Sequence, residues 1–374
     1  MGQLQKLIAA EGTPAEIVYW RLISVFDTIV LNSRRPDEES QLTSVQRRLR
    51  AVADGDWTSL WLELQGSRRP VAAAATVPDS EKRAALVRDL LLSDETGRAL
   101  KACQQRQPPV RDPSRFPEVL GLFPKSVVTD GGSWDIDPAD AWNDVEFGRL
   151  EAAIMKKLRR PRRRSLPGLL GGRPEHWKPL ELVDGGIEMA AHVIARLALG
   201  RVPAETLEAH RLCEVTTPTK PNNPAELRPL MLGSTLRRIG SGGVCMVAKE
   251  AVRTAVGRFQ LGSAKDGCTK AYHTVLSSCR ARPQHGVLAR DVAAAHQHVE
   301  RTWVREQVDA LCPALAEPLR AWYGKPTVHF WRSSSGVSYE VRSERGFDQG
   351  DPLATPPFTP SPPSPLPRTL GQTC

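Results

Sequence analysis

The sequence predicts an α+β fold, and three observations carry that expectation. Long stretches place apolar residues three and four apart, the period of a helix with one buried face. Two shorter stretches, 212–232 and 327–341, alternate in polarity around turn residues, which is the pattern of hairpins. With 374 residues and 40% hydrophobic content, the chain is large enough for at least one real core.

Helical spacing recurs over 15–31, 42–64 and 80–103, so residues 1–125 are expected to form a helical N-terminal extension. In the third helix Ala84, Leu86, Val87, Leu90, Leu91 and Leu100 make an apolar stripe opposite charged residues. Trp57 and Trp61 share a helical face and read as core anchors. The chain then turns acidic over 129–146, with Asp130, Asp135, Asp137, Asp140, Asp144 and Glu146. The sign flips at Lys156-Lys157-Leu158-Arg159-Arg160-Pro161-Arg162-Arg163-Arg164, seven cations in nine residues. Proline and glycine flank this run, so 126–172 is expected to be a linker, acidic and then basic. The run reads as a nuclear-targeting signal, a phosphate-contacting arm or a solvated linker.

A packed helix is expected over 180–199, ending at Gly200. Strands at 212–217 and 227–232 flank Lys220-Pro221-Asn222-Asn223-Pro224, a hairpin that puts Lys220 and Arg228 near its tip. Two cations on a short, stiff lever suit a triphosphate. Helices over 234–259 and 266–279 follow, joined through Gln260-Leu261-Gly262-Ser263. Next, Gly286-Val287-Leu288-Ala289-Arg290-Asp291-Val292 is a short apolar run ending in a carboxylate. That aspartate either caps the next helix or, being costly to bury unpaired, holds a divalent cation.

Helices over 302–311 and 314–322 are divided by Pro313 and lead to a hairpin, 327–331 with 337–341, turned at Ser333-Ser334-Ser335-Gly336. It delivers Gly346-Phe347-Asp348-Gln349-Gly350-Asp351-Pro352-Leu353. Two glycines around a glutamine, closed by Asp-Pro, describe a tight loop whose backbone can approach a flat or phosphorylated ligand. The proline-rich stretch 355–367 cannot form a helix or interior strand, so 354–374 is expected to be a disordered tail.

A net charge of +9 and a pI near 9.4 favour a polyanionic partner. The seven cysteines are scattered and include no C-x-x-C pair, which argues against a disulfide framework and a zinc ribbon. No secretory signal and no apolar run long enough to cross a membrane is visible. The expected location is intracellular, nuclear or cytoplasmic, with no membrane partner.

Together these elements resemble the reverse transcriptase domain of non-LTR (LINE-type) retrotransposons, with the likeness running over about 171–353. The segment Asp291-Val292-Ala293-Ala294-Ala295-His296-Gln297-His298-Val299-Glu300-Arg301 is similar to the family's metal-binding strand: Asp291, Glu300 and Arg301 match, and His296 stands where Phe or Tyr is usual. Gly346, Gln349, Gly350, Asp351, Pro352 and Leu353 match the family's Gly-x-x-Gln-Gly-Asp-Pro-Leu loop. Lys220, Arg228-Pro229 and Leu232-Gly233-Ser234-Thr235-Leu236-Arg237-Arg238 look like the fingers, and 260–267 like the template-side segment.

The resemblance implies right-hand polymerase fingers and a partial palm over 173–353. It implies Asp291 as catalytic metal ligand, with Lys220, Arg228, His296, Gln349 and Gly350 around the incoming nucleotide. Gln260, Gly262, Arg159, Arg160, Arg162, Arg163 and Arg164 would contact nucleic acid. The implied partners are an RNA template, a DNA primer and deoxynucleoside triphosphates, and the implied cofactor is Mg²⁺ in a two-metal site. The family's other ligands are an adjacent Asp-Asp pair, and no two adjacent aspartates occur in these 374 residues. The expectation is therefore a reverse transcriptase domain protein made inactive by truncation; the alternative is a non-catalytic nucleic-acid-binding remnant. A third reading, a metal-dependent hydrolase, would use Asp291 with His296 and His298.

Overall fold

The computed structural model of the chain describes residues 2–26, 29–30, 41–66, 80–92, 96–103, 109–127, 134, 141–162, 165–220, 223–256, 261, 266–287 and 294–355. In order, the N-terminal helices are α1 (Gly2–Ala9), α2 (Glu16–Phe26), α3 (Gln41–Asp54), α4 (Trp57–Gly66), α5 (Ser80–Leu92), α6 (Thr96–Cys103) and α7 (Phe116–Gly121). Then come α8 (Asp144–Arg159), α9 (Gly186–Ala198), α10 (Ala204–Arg211), β1 (Glu214–Thr216), β2 (Thr219–Lys220), β3 (Asn223–Leu227) and β4 (Leu230–Leu232). The rest comprises α11 (Thr235–Val247), α12 (Lys249–Val256), α13 (Gly267–Ala281), α14 (Ala295–His298), α15 (Arg301–Leu311), α16 (Ala316–Tyr323), β5 (Thr327–Arg332) and β6 (Ser338–Ser343). The architecture is α+β, as the spacing predicts.

The helical core is α8, α9 and α11 packed on one another. In α9 the apolar positions Ile187, Ala190, Val193, Ile194 and Leu197 are all buried, and the helix ends at Gly200, whose φ of 74° is the left-handed conformation that favours glycine at a C-terminus. Small residues on α11 set the interhelical distance: a Cβ at Gly240 would lie 2.8 Å from the Ala198 Cβ, and one at Gly243 would lie 2.8 Å from Ile154 Cγ1. Burying Leu150, Ile154 and Leu158 of α8 against this core contributes about 1.5–3 kcal/mol for each side chain.

Helices α1 and α2 join the same core. Trp20 is fully buried and donates from Nε1 to Glu16 Oε1 at 3.1 Å, while Arg196 of α9 pairs with Glu16 at 2.9 Å. His210 of α10, also fully buried, bridges Ser24 of α2 at 2.9 Å and Ser234 at 2.7 Å. Ser234 in turn accepts the Arg237 backbone N–H as the N-cap of α11. One ring nitrogen of His210 thus faces Ser234 and the other Ser24, so both are hydrogen-bonded in the core. Burial, and then the positive charge of Arg237, push the His210 pKa down to about 4.

The four-stranded sheet has the order β4-β1-β5-β6. β1 pairs antiparallel with β4 (Val215 opposite Met231) and parallel with β5 (Glu214 opposite Phe330), and β5 pairs antiparallel with β6 (His329 opposite Val341). A parallel neighbour needs a long crossover, and residues 217–326, which include β4 on the way, supply it. One sheet face is covered by residues 110–123, where Val119 packs against Val215, Trp331 and Val341. The backbones of Val110 and Thr217 hydrogen bond at 3.0 Å.

Several expectations are corrected here. Residues 144–159, expected within a linker, form the 16-residue helix α8, opened by a capping box between Asn143 and Glu146. Its buried residues recur at helical spacing, and Asp144, Lys156 and Arg159 lie on its exposed face. Residues 110–123, expected in a separate extension, lie on the sheet. The helix expected over 180–199 starts at Gly186, because Gly185 turns the chain at φ 66° after a 3₁₀ segment over Pro174–Leu182. Helix α10 answers to no expected element, and the helix expected over 234–259 divides at Ala248 into α11 and α12. Trp61 is 48% exposed and no core anchor, and Leu91 and Leu100 of the expected stripe are 53% and 62% exposed. A 100°-per-residue pattern shows that one face is apolar; it does not show that anything covers it.

Candidate functional site

The loop over 345–353 is where buried charge concentrates. It leaves β6 and folds back between β4 and α14. At Gly346 the backbone takes φ 70°, and a Cβ there would stand 2.4 Å from the His296 carbonyl oxygen. At Gly350 it takes φ 122°, and a Cβ would stand 2.7 Å from the Met231 carbonyl oxygen. Both glycines thus permit a close backbone approach, to the chain's own backbone. Gly346 N–H donates to Val299 O at 2.9 Å, Phe347 N–H to His296 O at 2.6 Å, and Met231 N–H to Gln349 O at 2.9 Å.

Two arginines hold the loop. Arg237 of α11, itself fully buried, donates from Nε to Asp351 Oδ2 at 2.9 Å and from Nη2 to Asp348 Oδ2 at 2.7 Å. It also reaches Tyr323 Oη at 3.1 Å, the Arg211 carbonyl oxygen at 3.1 Å and Cys213 Sγ at 3.3 Å, and its guanidinium lies 5.0 Å from the Trp322 ring centroid. Burial alone would lower the Arg237 pKa, but the Asp351 and Asp348 carboxylates outweigh it and hold the group firmly charged. Asp348 shows the converse: burial pushes its carboxyl up, and His329 with Arg237 hold it well below the usual carboxylate range. Arg301, at the start of α15, donates to Gly346 O at 2.8 Å, Ser343 Oγ at 3.1 Å and Lys325 O at 3.1 Å. Arg345 pairs with Glu300 at 3.1 Å, and Glu300 accepts from Ser126 Oγ at 3.0 Å.

Cys213, His329 and Asp348 bring one ligand-type atom each within 4.8 Å of one another, a group with the makings of a metal centre. Its chemistry argues otherwise. His329 Nδ1 accepts the Cys213 backbone N–H at 3.2 Å, so Nε2 carries the proton it shares with Asp348 at 3.0 Å, and neither lone pair is left for an ion. Burial pushes the Cys213 thiol well up, which keeps it protonated, and the Arg237 guanidinium already supplies the positive charge. A thiol and an imidazole are also the wrong donors for Mg²⁺, which takes oxygen ligands. Among the described residues this is the one such cluster, so His296 and His298 belong to none.

Of the residues nominated around a nucleotide, two belong to this loop, one packs on it, and one lies near that third residue. Gln349 and Gly350 belong to it, and Gly350 is exposed. His296 packs its backbone against Gly346 and Phe347. Arg228, exposed between β3 and β4, is close enough that its charge adds to burial in lowering the His296 pKa. The hairpin differs from expectation in one respect. Arg228 N–H bonds to Pro218 O at 2.9 Å, so Arg228 sits at the base of the β2–β3 pair, across from Pro218.

Lys220 is the last residue of β2, and its side chain lies outside the description. Asp291, Gln260, Gly262, Arg163 and Arg164 lie outside the described residues, as does the stretch 356–374. Arg159, Arg160 and Arg162 sit at and just beyond the end of α8, exposed, with Arg159 3.4 Å from Glu188. The site residues that sequence reasoning missed are Arg237 as the clasp, with Tyr323, His329 and Asp348 around it. Arg237 stood inside a matched segment, but nothing about an Arg-Arg pair says which of the two is buried.

No protein-family model matches the sequence, and no curated protein matches it. No described helix is long and apolar enough to cross a membrane.

Proposed function

We propose that the chain is a nucleotide- and nucleic-acid-binding module of reverse-transcriptase type, fingers with a partial palm, that binds without turning over on its own. The observation that supports the reading is that His296 packs its backbone on the loop carrying Gln349 and Gly350, with the charge of Arg228 felt at the His296 ring. In this reading Arg228 meets the triphosphate through charge-assisted hydrogen bonds. His296 presents its ring beside the sugar, and Gln349 with Gly350 form the edge against which the base is set. Arg237 and Arg301 touch no ligand; Arg237 holds the loop's carboxylates and Arg301 its backbone at Gly346.

The parent chemistry is RNA-templated DNA synthesis, in which divalent ions activate the primer hydroxyl and stabilise the leaving pyrophosphate. That chemistry needs several carboxylate oxygens, and the 374 residues contain no adjacent aspartate pair. The carboxylates of the described loop are committed to Arg237 and His329. Binding is therefore the function proposed, the nucleic-acid-binding remnant of the two readings.

Two measurements test it. The chain binds an RNA–DNA hybrid with a steep salt dependence, and Arg228→Glu weakens deoxynucleoside triphosphate binding by about tenfold, the order of a lost hydrogen bond to a charged group. Primer extension on poly(rA) with Mg²⁺ or Mn²⁺ is absent; robust extension that disappears in Asp291→Ala overturns the non-catalytic reading.

A further inference from the structure

The four-stranded sheet ends at β6, which pairs with β5 alone among the described strands. Its six residues run in unbroken register and contain no proline, so neither of the backbone devices that blunt an edge strand is present. Which backbone groups face outward follows from the turn. Ser333 N–H donates to Val337 O at 2.9 Å, which makes 333 and 337 a hydrogen-bonded pair. Such pairs alternate along an antiparallel ladder, so Tyr339, Val341 and Ser343 exchange bonds with β5. Ser338, Glu340 and Arg342 therefore turn their N–H and C=O away from β5. Phe330, opposite Glu340, agrees: its N–H goes the other way, to Cys213 O at 2.9 Å. Among the described residues no backbone group bonds to the outward edge of β6.

That edge is complementary to itself. The side chains of Ser338, Glu340 and Arg342 are exposed and share one sheet face, while Val341 points to the face covered by Val119. A two-fold axis pairs an edge strand antiparallel with its own copy. Centred on Val341, such an axis sets Glu340 of each copy opposite Arg342 of the other, both as hydrogen-bonded pairs on the exposed face. Centred one residue either way, it sets Glu340 opposite Glu340 or Arg342 opposite Arg342, and directly opposed like charges are destabilising. The charges are available for this pairing. Glu340 makes no ion pair among the described residues, and Arg342, with its side chain 70% exposed, meets only Glu344 of its own chain, at 2.9 Å.

We infer that β6 is a homodimer interface: two copies of the chain join β6 to β6 about a two-fold axis at Val341, making one continuous sheet, with Glu340 of each against Arg342 of the other. Main-chain hydrogen bonds supply the affinity and the crossed charges fix the register. The interface is independent of the nucleotide reading of the loop at 345–353.

The test is sedimentation velocity of the full 374-residue chain over a concentration series. Wild type is expected to show a reversible monomer–dimer equilibrium. Glu340→Arg sets cation against cation at both crossed pairs, and Arg342→Glu sets carboxylate against carboxylate. Each is expected to weaken the dimer by about tenfold or more, the order of two cross-strand charge pairs turned from attractive to repulsive. The two single variants, mixed, are expected to form a heterodimer, and the double variant Glu340→Arg with Arg342→Glu to recover the homodimer. Both positions are exposed, so circular dichroism should match wild type. Exchange of the Glu340 and Arg342 amides should slow as concentration rises, while that of Val341 stays unchanged. A monomer at every concentration, a dimer indifferent to both single variants, or no recovery on mixing the two folded variants would each overturn the inference. A monomer whose Glu340 and Arg342 amides are already protected would show that another segment of the same chain covers the edge, and would overturn it too.

Discussion

Replacing Arg237 with methionine is the most demanding test of how the loop is held. The substitution keeps a long apolar stem and removes the guanidinium, leaving Asp348 and Asp351 buried with no cation between them. Removing one partner of a buried ion pair costs about 3–5 kcal/mol, because the stranded charge keeps its desolvation penalty. His329 remains on Asp348, which places the expected cost at the lower end, near 3 kcal/mol. Tyr323 Oη still donates to Asp351 at 3.0 Å. The assay is hydrogen exchange of the amides in 345–355, which report local opening whether or not the whole chain unfolds as one unit. At about 1.4 kcal/mol per tenfold, protection should fall on the order of a hundredfold. Adding Asp348→Asn and Asp351→Asn to the methionine variant should recover much of the loss, since a neutral set leaves no charge unpaired. A loss under about fivefold, or no recovery in the combined variant, would refute the view that Arg237 clasps the loop.

Three further outcomes follow from the same geometry. Gly346→Ala places a Cβ 2.4 Å from the His296 carbonyl oxygen at φ 70°, and the left-handed backbone alone costs about 1–2 kcal/mol; exchange in 345–355 should accelerate, while that of α9 should not. His210 titrates near 6.5 when unfolded and near 4 in the fold, so the unfolded chain binds the extra proton in that window. Stability therefore falls as pH drops from about 6.5 towards 4, by up to about 3 kcal/mol, and His210→Gln should flatten that slope in urea titrations at stepped pH. Gly240→Val forces α11 away from Ala198 and should cost about 1–3 kcal/mol by overpacking; a midpoint equal to wild type would show that the two helices do not depend on that contact.

The pairing of β1 with β4 and of β5 with β6 was legible, because alternation and turn residues are local signals read within a dozen residues. So was the end of α9 at Gly200, a position whose backbone nearly dictates its residue. Helix α8 is encoded in Asn143-x-x-Glu146 and in the spacing of Phe147, Leu150, Ile154 and Leu158, a signal overlaid by the acidic and basic runs at its two ends. Charge describes a helix's outer face, and the fold is decided by the inner one.

By itself the sequence determined the fold class, the hairpins and the unusual loop with its two glycines. What only the tertiary structure decided is what those glycines approach and where the charges of the loop go. Asp348 and Asp351 look, in the chain, like carboxylates ready for a ligand. Folding buries them against Arg237, 111 and 114 residues earlier, because a carboxylate removed from water must find a cation, and nothing local announces which. The same closure brings His296 onto Gly346 and Phe347, and Met231 onto Gln349 and Gly350. Proximity between residues a hundred positions apart is set by the crossover and the sheet order, and no local pattern encodes it.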